Sequence, residues 1–485
     1  MMPGAGFAQT PLGYKGETMV LASMQRRLLR KVALATVVLT LAVLGGCGGG
    51  GNTLESSLLQ PTPMAASQCG SVDAQKSWLG QYMRGAYYWT DNMPSVDPAQ
   101  YAAVADYFDA LRWVPTDHYS FTLSEQEYQA LFQSGQEIGY GIYWKNDPAY
   151  ANSASDPGPI RVAYVDANSP AAAAGVMRGD ALVTVNGATP SSQAVLDLLY
   201  PTQTGTPITL ELRATGASTS YTVSLTATTV THDAVFESQT LTAANGSKVG
   251  YLVLNQFLAP NTTMPALRSA LHNFQQAGIN DLVLDLRYNG GGYVSMANEL
   301  SAMIAGNRVS TGNTFVRYYF NAKNSASNYS DAFVGVGSDT QLSLPRVFVL
   351  TSGRTASASE LVINALKPYM TVVQLGSLTY GKPVGQIPVV NCSQMFAPIV
   401  FETTNAAGNG GYFSGIAPAC STVLDDLDHP LGATNEAVLG QALGYVNGGA
   451  CPATIAAAQA KRSLATDGVV HPALPERVRN GGLLR

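Results

Sequence analysis

Thr351-Ser352-Gly353-Arg354-Thr355-Ala356-Ser357-Ala358-Ser359-Glu360 is a small, hydroxyl-rich segment flanked by two apolar runs. Before it, Arg346-Val347-Phe348-Val349-Leu350 has the length and β-branched content of a buried strand. After it, Leu361-Val362-Ile363-Asn364-Ala365-Leu366 supplies the apolar residues of a helix's first turns. A tight turn from a buried strand into a helix puts a serine where backbone N–H groups converge. Such a turn can hold a nucleophile and the donors for the oxyanion that it creates. A Ser/Thr-rich helix N-cap without chemistry fits the same residues.

The next informative segment is Thr379-Tyr380-Gly381-Lys382-Pro383-Val384-Gly385-Gln386, which sets a lysine 25 residues after Ser357. A lysine between Gly381 and Pro383, beside Tyr380 and Val384, is not in the setting of a solvated surface lysine. Enclosed, it loses the solvation of its charged form, and its pKa falls far enough for it to accept a proton. A serine hydroxyl needs such a base at neutral pH. The two motifs and their spacing closely resemble the C-terminal-processing (tail-specific) serine protease family. Its signature is a Ser-Ala-Ser-Glu turn, then Gly-Lys, then a glutamine four residues past the lysine. The resemblance implies Ser357 as nucleophile, Lys382 as general base and Gln386 as the residue orienting the lysine. It also implies that no metal or organic cofactor takes part. Two positions depart from the pattern: Pro368 stands where many members carry an acidic residue, and Pro383 follows the lysine where glycine or serine is usual. Glu360 reads as a helix cap rather than a participant in the chemistry.

Upstream, Gly250 to Leu254 and Asp281 to Leu286 are strand-like, and Met264 to Gln276 between them has helical spacing. Strand, helix, strand is the unit of an α/β core with a mostly parallel sheet. The second strand ends in Asp285-Leu286-Arg287-Tyr288-Asn289-Gly290-Gly291-Gly292, and a helix over Met296 to Ile304 follows. Consecutive glycines can point N–H groups at a ligand oxygen, but the Gly-Lys-Ser/Thr ending of a phosphate loop is absent. The resemblance places an oxyanion-hole amide at Gly291 or Gly292, paired with that of Ala358. It implies a multidomain α/β chain whose core, residues 233–450, is Clp-protease/crotonase-like.

Between Ile138 and Val230 the pattern changes to short strands and tight turns. Ile138-Gly139-Tyr140-Gly141, Ser169-Pro170-Ala171, Arg178-Gly179-Asp180 and Asn186-Gly187 fall in an order that closely resembles a PDZ module, assigned to residues 137–232. Such modules add an extended C-terminus to a sheet edge. Ile138, Gly139, Tyr140 and Gly141 are the candidate carboxylate loop, since glycine leaves backbone amides accessible. Residues 70–136 read as a small helical N-terminal domain: Trp78, Tyr82 and Met83 recur at helical spacing, as do Tyr101, Val104 and Phe108, and Leu123 to Glu127 reads as a further helix start. The turn histidine His118 beside Tyr119 reads as structural.

At 485 residues, 46% hydrophobic and 12% charged, the chain has length for about three domains. Its net charge is −5 and no basic block lies beyond the N-terminus, which argues against nucleic acid as a partner. Arg26, Arg27, Arg30 and Lys31 precede an apolar stretch ending in Leu44-Gly45-Gly46-Cys47, the pattern of an export signal too short to span a membrane. Cysteine after Leu-Gly-Gly resembles the bacterial lipobox, which implies lipidation of Cys47 and attachment to a membrane facing the periplasm or the cell exterior. Residues 1–47 are thus assigned to the signal segment, 48–69 to a flexible linker and 451–485 to a tail. Cys69, Cys392, Cys420 and Cys451 make an even count in an exported chain and predict two disulfides; Cys392 with Cys420 and Cys69 with Cys451 is the favoured pairing. Asp425-Asp426-Leu427-Asp428-His429 reads as a solvated acidic loop rather than a cation site. The function expected is an exported Ser–Lys endopeptidase acting on proteins with exposed C-termini, and the alternative is a catalytically silent peptide-binding lipoprotein.

Overall fold

A computed structural model of the chain describes residue 59 and residues 61–151, 158–420 and 422–451. The signal segment, Cys47, most of the glycine-rich linker and the tail beyond residue 451 lie outside the described residues.

Apolar runs buried on both faces need helices on both sides, and this requirement shapes the core. Lys248–Leu254, Asp281–Asp285, Arg346–Thr351 and Thr371–Gly376 run parallel, and Val235–Thr242 adds an antiparallel edge beside Lys248–Leu254. Alternate side chains face opposite layers. Leu282, Leu284, Val347 and Val349 pack with residues of the helices Pro260–Ala277, Val294–Ala305 and Ala358–Leu366. Val283, Phe348 and Leu350 pack against Val438, Leu439 and Ala442 of Ala437–Gly448. Each such side chain, fully buried, contributes about 1.5–3 kcal/mol. A second, antiparallel sheet orders Tyr329–Ala332, Thr314–Phe320, Ile399–Thr404 and Val384–Gln386, and its last strand begins two residues after Lys382.

The helix Val72–Ala86 inserts Leu79, Tyr82 and Met83 into the main core cluster. Phe121–Ser124 is a strand that pairs with Gln394–Ala397, ahead of the helix start expected over Leu123 to Glu127. Only then does Ser124 cap the short helix Glu125–Tyr128. Described residues of the segment assigned to the linker pack on the core: Leu59 is fully enclosed, and the Met64 N–H donates to Asn391 Oδ1 at 2.8 Å.

Residues 136–231 form a β-rich module with its own core around Trp144, Val162, Leu182 and Leu210. The chain enters on Gln136–Gly139 and leaves on Thr228–Thr231, which pair with each other as a two-stranded ribbon. Between them lies a five-stranded antiparallel sheet with Ile142–Asn146 at one edge. Among the described residues no helix is long and apolar enough to cross a membrane.

The cysteines pair differently from the expectation: the bridges are Cys69–Cys392 and Cys420–Cys451. Cys392 sits at the tip of the hairpin between Val389–Asn391 and Gln394–Ala397, facing the N-terminal region. Cys420 lies instead beside the edge strand Thr371–Gly376, where the Ala419 N–H donates to Gln374 O at 2.8 Å. Proximity in sequence misleads because the hairpin is closed within residues 389–397. The acidic turn is solvated only in part, at Asp428, and its first carboxylate is not. Asp425 is enclosed and meets Lys145 at 3.1 Å, Arg178 at 2.9 Å and Arg287 at 2.9 Å, tying the β-rich module to the core. Three converging cations explain why a carboxylate can be buried there.

Candidate active site

The strand Arg346–Thr351 delivers the chain to the turn, and the helix Ala358–Leu366 takes it away. Ser357 occupies the junction with φ 61° and ψ −117°. For a residue with a Cβ this conformation is strained by about 1–3 kcal/mol and persists only where the surroundings enforce it. They do so through the Asp285–Gly292 segment. Thr355 Oγ1 donates to Leu286 O at 2.7 Å, the Ala356 N–H to Asn289 O at 3.2 Å and Ser359 Oγ to Asn289 O at 3.0 Å. Gly291 backs directly onto the serine: with φ 109°, a Cβ there would stand 2.8 Å from Ser357 Cβ. Only glycine permits that approach.

The two amides of the glycine loop differ. The Gly291 N–H donates to Asn289 Oδ1 at 2.9 Å and is thereby occupied. Gly292 makes a bridge with Phe257 through its neighbours, the Phe257 N–H donating to Gly291 O and the Tyr293 N–H to Phe257 O, each at 2.9 Å. Ala358 opens the helix that follows Ser357.

Ser357 and Lys382 are each 1% exposed. One carboxylate joins their segments. Glu360 Oε2 accepts the Ser357 N–H at 2.8 Å and the Lys382 N–H at 2.8 Å, and its Oε1 accepts Thr379 Oγ1 at 2.6 Å and the Gly381 N–H at 2.7 Å. Glu360 thus caps the helix, as its position predicts, and also fastens the lysine loop to the serine turn, which its position does not predict. Burial raises the pKa of this carboxyl group, and the four donors oppose the shift.

Lys382 Nζ donates to Gln386 Oε1 at 3.2 Å, and Gln386 Nε2 donates to Tyr119 O at 3.0 Å. Tyr119 completes the enclosure: its ring lies 5.8 Å from Nζ and its hydroxyl donates to Gly381 O at 2.7 Å. Burial pulls the lysine's pKa down to about 7, against the opposing charges of Asp117 and Glu360. Ser357 Oγ is enclosed without a hydrogen bond, so no serine–lysine hydrogen bond is formed in this structure. Catalytic hydrogen bonds often close only once substrate is bound.

Tyr119 and Asp117 escape the sequence reading, although both belong to the turn that holds His118. His118 itself is exposed, and its ring lies 4.0 Å from that of Tyr119, tilted by 39°. The residues of the candidate carboxylate loop lie in the β-rich module. Ile138 and Gly139 pair with Thr229 and Thr228, while Tyr140 and Gly141 turn the chain into the edge strand Ile142–Asn146.

Residues 248–418 match the model for peptidase family S41, and residues 74–121 match that for the peptidase S41 N-terminal domain. A carboxyl-terminal-processing protease of Picosynechococcus is 28% identical over 270 residues, which are 55% of this chain and 60% of that protein. A CtpA-like serine protease of Staphylococcus saprophyticus is 25% identical over 274 residues, 56% of this chain and 50% of the relative. The chain therefore spans between half and three fifths of the length of these relatives. The crystal structure of an S41 protease from Bacteroides fragilis superposes with a TM-score of 0.63 at 28% identity, covering 77% of this chain and 97% of that one. The two matched regions and the shared fold show a peptidase S41 N-terminal domain at residues 74–121 and a peptidase S41 domain at residues 248–418.

Proposed function

We propose that the chain is an exported serine endopeptidase that uses Ser357 and Lys382 as a dyad. The observation that carries the proposal is the amine of Lys382, enclosed and brought down to about pKa 7 on a loop tied through Glu360 to the serine turn. Neutral, Lys382 takes the proton of Ser357 Oγ as the oxygen attacks a peptide carbonyl, and it later gives that proton to the leaving amine. Gln386 orients the amine. The N–H groups of Gly292 and Ala358 receive the oxyanion, a pair of contacts worth about 3 kcal/mol each. Gly292 suits this role better than Gly291, whose N–H is already held by Asn289.

Residues 137–232 act as a PDZ-like module. The substrate's C-terminus adds to the edge strand Ile142–Asn146 and meets the loop Ile138–Gly141. Two disulfides fit an oxidising compartment, and the Leu44-Gly45-Gly46-Cys47 motif supplies a lipid anchor. The test is cleavage of casein and of a tagged unfolded substrate by the wild-type chain and by Ser357→Ala and Lys382→Ala. Both variants lose at least about 1000-fold in kcat/KM. Cleavage by Ser357→Ala at the wild-type rate removes the proposal and leaves a peptide-binding protein.

A further inference from the structure

Three arginines are buried among the described residues, and two of them are neutralised. Arg161 meets Asp147 at 2.6 Å and Asp428 at 2.8 Å; Arg287 meets Asp285 at 2.6 Å and Glu436 at 2.7 Å. The third, Arg354, is 5% exposed, and its Nε and Nη1 are enclosed without a hydrogen-bond partner. Its guanidinium lies 4.8 Å from the centre of the Tyr143 ring. An aromatic face attracts the cation but gives nothing to the N–H groups in the guanidinium plane. A buried cation whose donors are unsatisfied is unfavourable and calls for an absent acceptor.

The position identifies that acceptor. Arg354 precedes Ser357 by three residues, so their Cα atoms lie within about 11 Å even along a fully extended chain. Its backbone is fixed, with the N–H donating to Ser352 Oγ at 3.1 Å. On the other side, Tyr143 is the second residue of the edge strand Ile142–Asn146. The guanidinium therefore stands between the nucleophile's turn and the strand on which a peptide is proposed to lie. We infer that Arg354 binds a carboxylate of the polypeptide substrate, carried by its free C-terminus or by an acidic side chain beside the scissile bond. The inference rests on the peptidase reading above. A planar fork of donors matches a carboxylate in two parallel hydrogen bonds. With a net charge of −5 the chain as a whole repels acidic peptides, so a preference for them needs a local cation.

Binding decides this without turnover. The full chain carrying Ser357→Ala is titrated, by fluorescence anisotropy, with labelled decapeptides in matched sets: free C-terminus against amide, and glutamate against glutamine near the C-terminus. At least one carboxylate form binds about 10- to 100-fold more tightly than its neutral partner. Adding Arg354→Gln abolishes that ratio, while Arg354→Lys keeps part of it. Amidation identifies the terminus as the source, and the glutamine exchange identifies the side chain. Equal affinities throughout in the Ser357→Ala chain overturn the inference, as does a ratio that persists in Arg354→Gln. If Arg354→Gln does not fold, the matched sets on Ser357→Ala and on its Arg354→Lys derivative decide alone. Casein cleavage by the wild-type chain separates the two claims. No cleavage with the ratio intact sinks the peptidase reading and leaves the carboxylate site; cleavage without a ratio does the reverse.

Discussion

At Lys382 burial and two carboxylates act in opposite directions, and burial wins: the pKa falls from 10.5 to about 7 despite Asp117 and Glu360. The folded chain therefore releases a proton that the unfolded chain keeps between about pH 7 and 10.5. Two outcomes follow from that sign. Activity rises with pH through a midpoint near 7, because the neutral amine is the base; a kcat/KM profile flat from about pH 5.5 to 8.5 contradicts the assignment. Stability also rises with pH over the same window, so Lys382→Met unfolds at a higher temperature than wild type. The difference is greatest at or below pH 7, about 1–4 kcal/mol, and shrinks toward pH 10. Calorimetry at about pH 6 and 9.5 measures it. Ser357, Lys382 and Gln386 are legible in the sequence as candidates because they lie in the two motifs that carry the family resemblance. Asp117 and Tyr119 are not, since they reach the lysine only after residues more than 260 positions apart have packed together.

Among the elements, the helix Ala358–Leu366 does more than follow the serine, because its Glu360 accepts donors from two segments at once. Glu360→Gln replaces one acceptor oxygen by an NH2 group that faces existing donors. Stability falls by about 2–4 kcal/mol. The serine turn and the lysine loop lose their common tie, and kcat falls about 100-fold. Because Glu360 raises the pKa of Lys382, its neutralisation also moves the acid limb of the pH profile downward. A purely structural Glu360 leaves that midpoint in place, so the residual activity discriminates between the two roles. Legibility at this scale follows periodicity. The strands Asp281–Asp285 and Arg346–Thr351 announce themselves because every residue is apolar or ends a run. Phe121–Ser124 does not, since its strand character comes from a partner about 270 residues away. The disulfide connectivity is hidden for the same reason: Cys69 and Cys392 are 323 residues apart and meet only through the hairpin that carries Cys392.

Across the whole molecule, Asp425 is the charge on which the β-rich module and the core converge. Burial pushes its pKa up, yet Lys145, Arg178 and Arg287 outweigh that and hold it well below the usual carboxylate range. Arg178 and Lys145 belong to the module, whereas Arg287 belongs to the segment that leads into Asn289 and the glycine loop. The acidic turn looks solvated in sequence because none of its cations is nearby along the chain. A carboxylate whose pKa is lowered by folding stabilises above its unfolded value, near 4, and that contribution is lost as pH falls through the folded value. Asp425→Asn leaves three enclosed cations around an uncharged amide and loses about 3–5 kcal/mol at pH 7. Calorimetry of the full chain then shows the module melting ahead of the core rather than with it. The gap between variant and wild type narrows below about pH 4, where the unfolded chain's aspartate takes up a proton before the folded one does. A variant that melts in one transition, within about 1 kcal/mol of wild type at pH 7, shows instead that the aromatic packing of Tyr143, Tyr164 and Tyr288 holds the module without the charges.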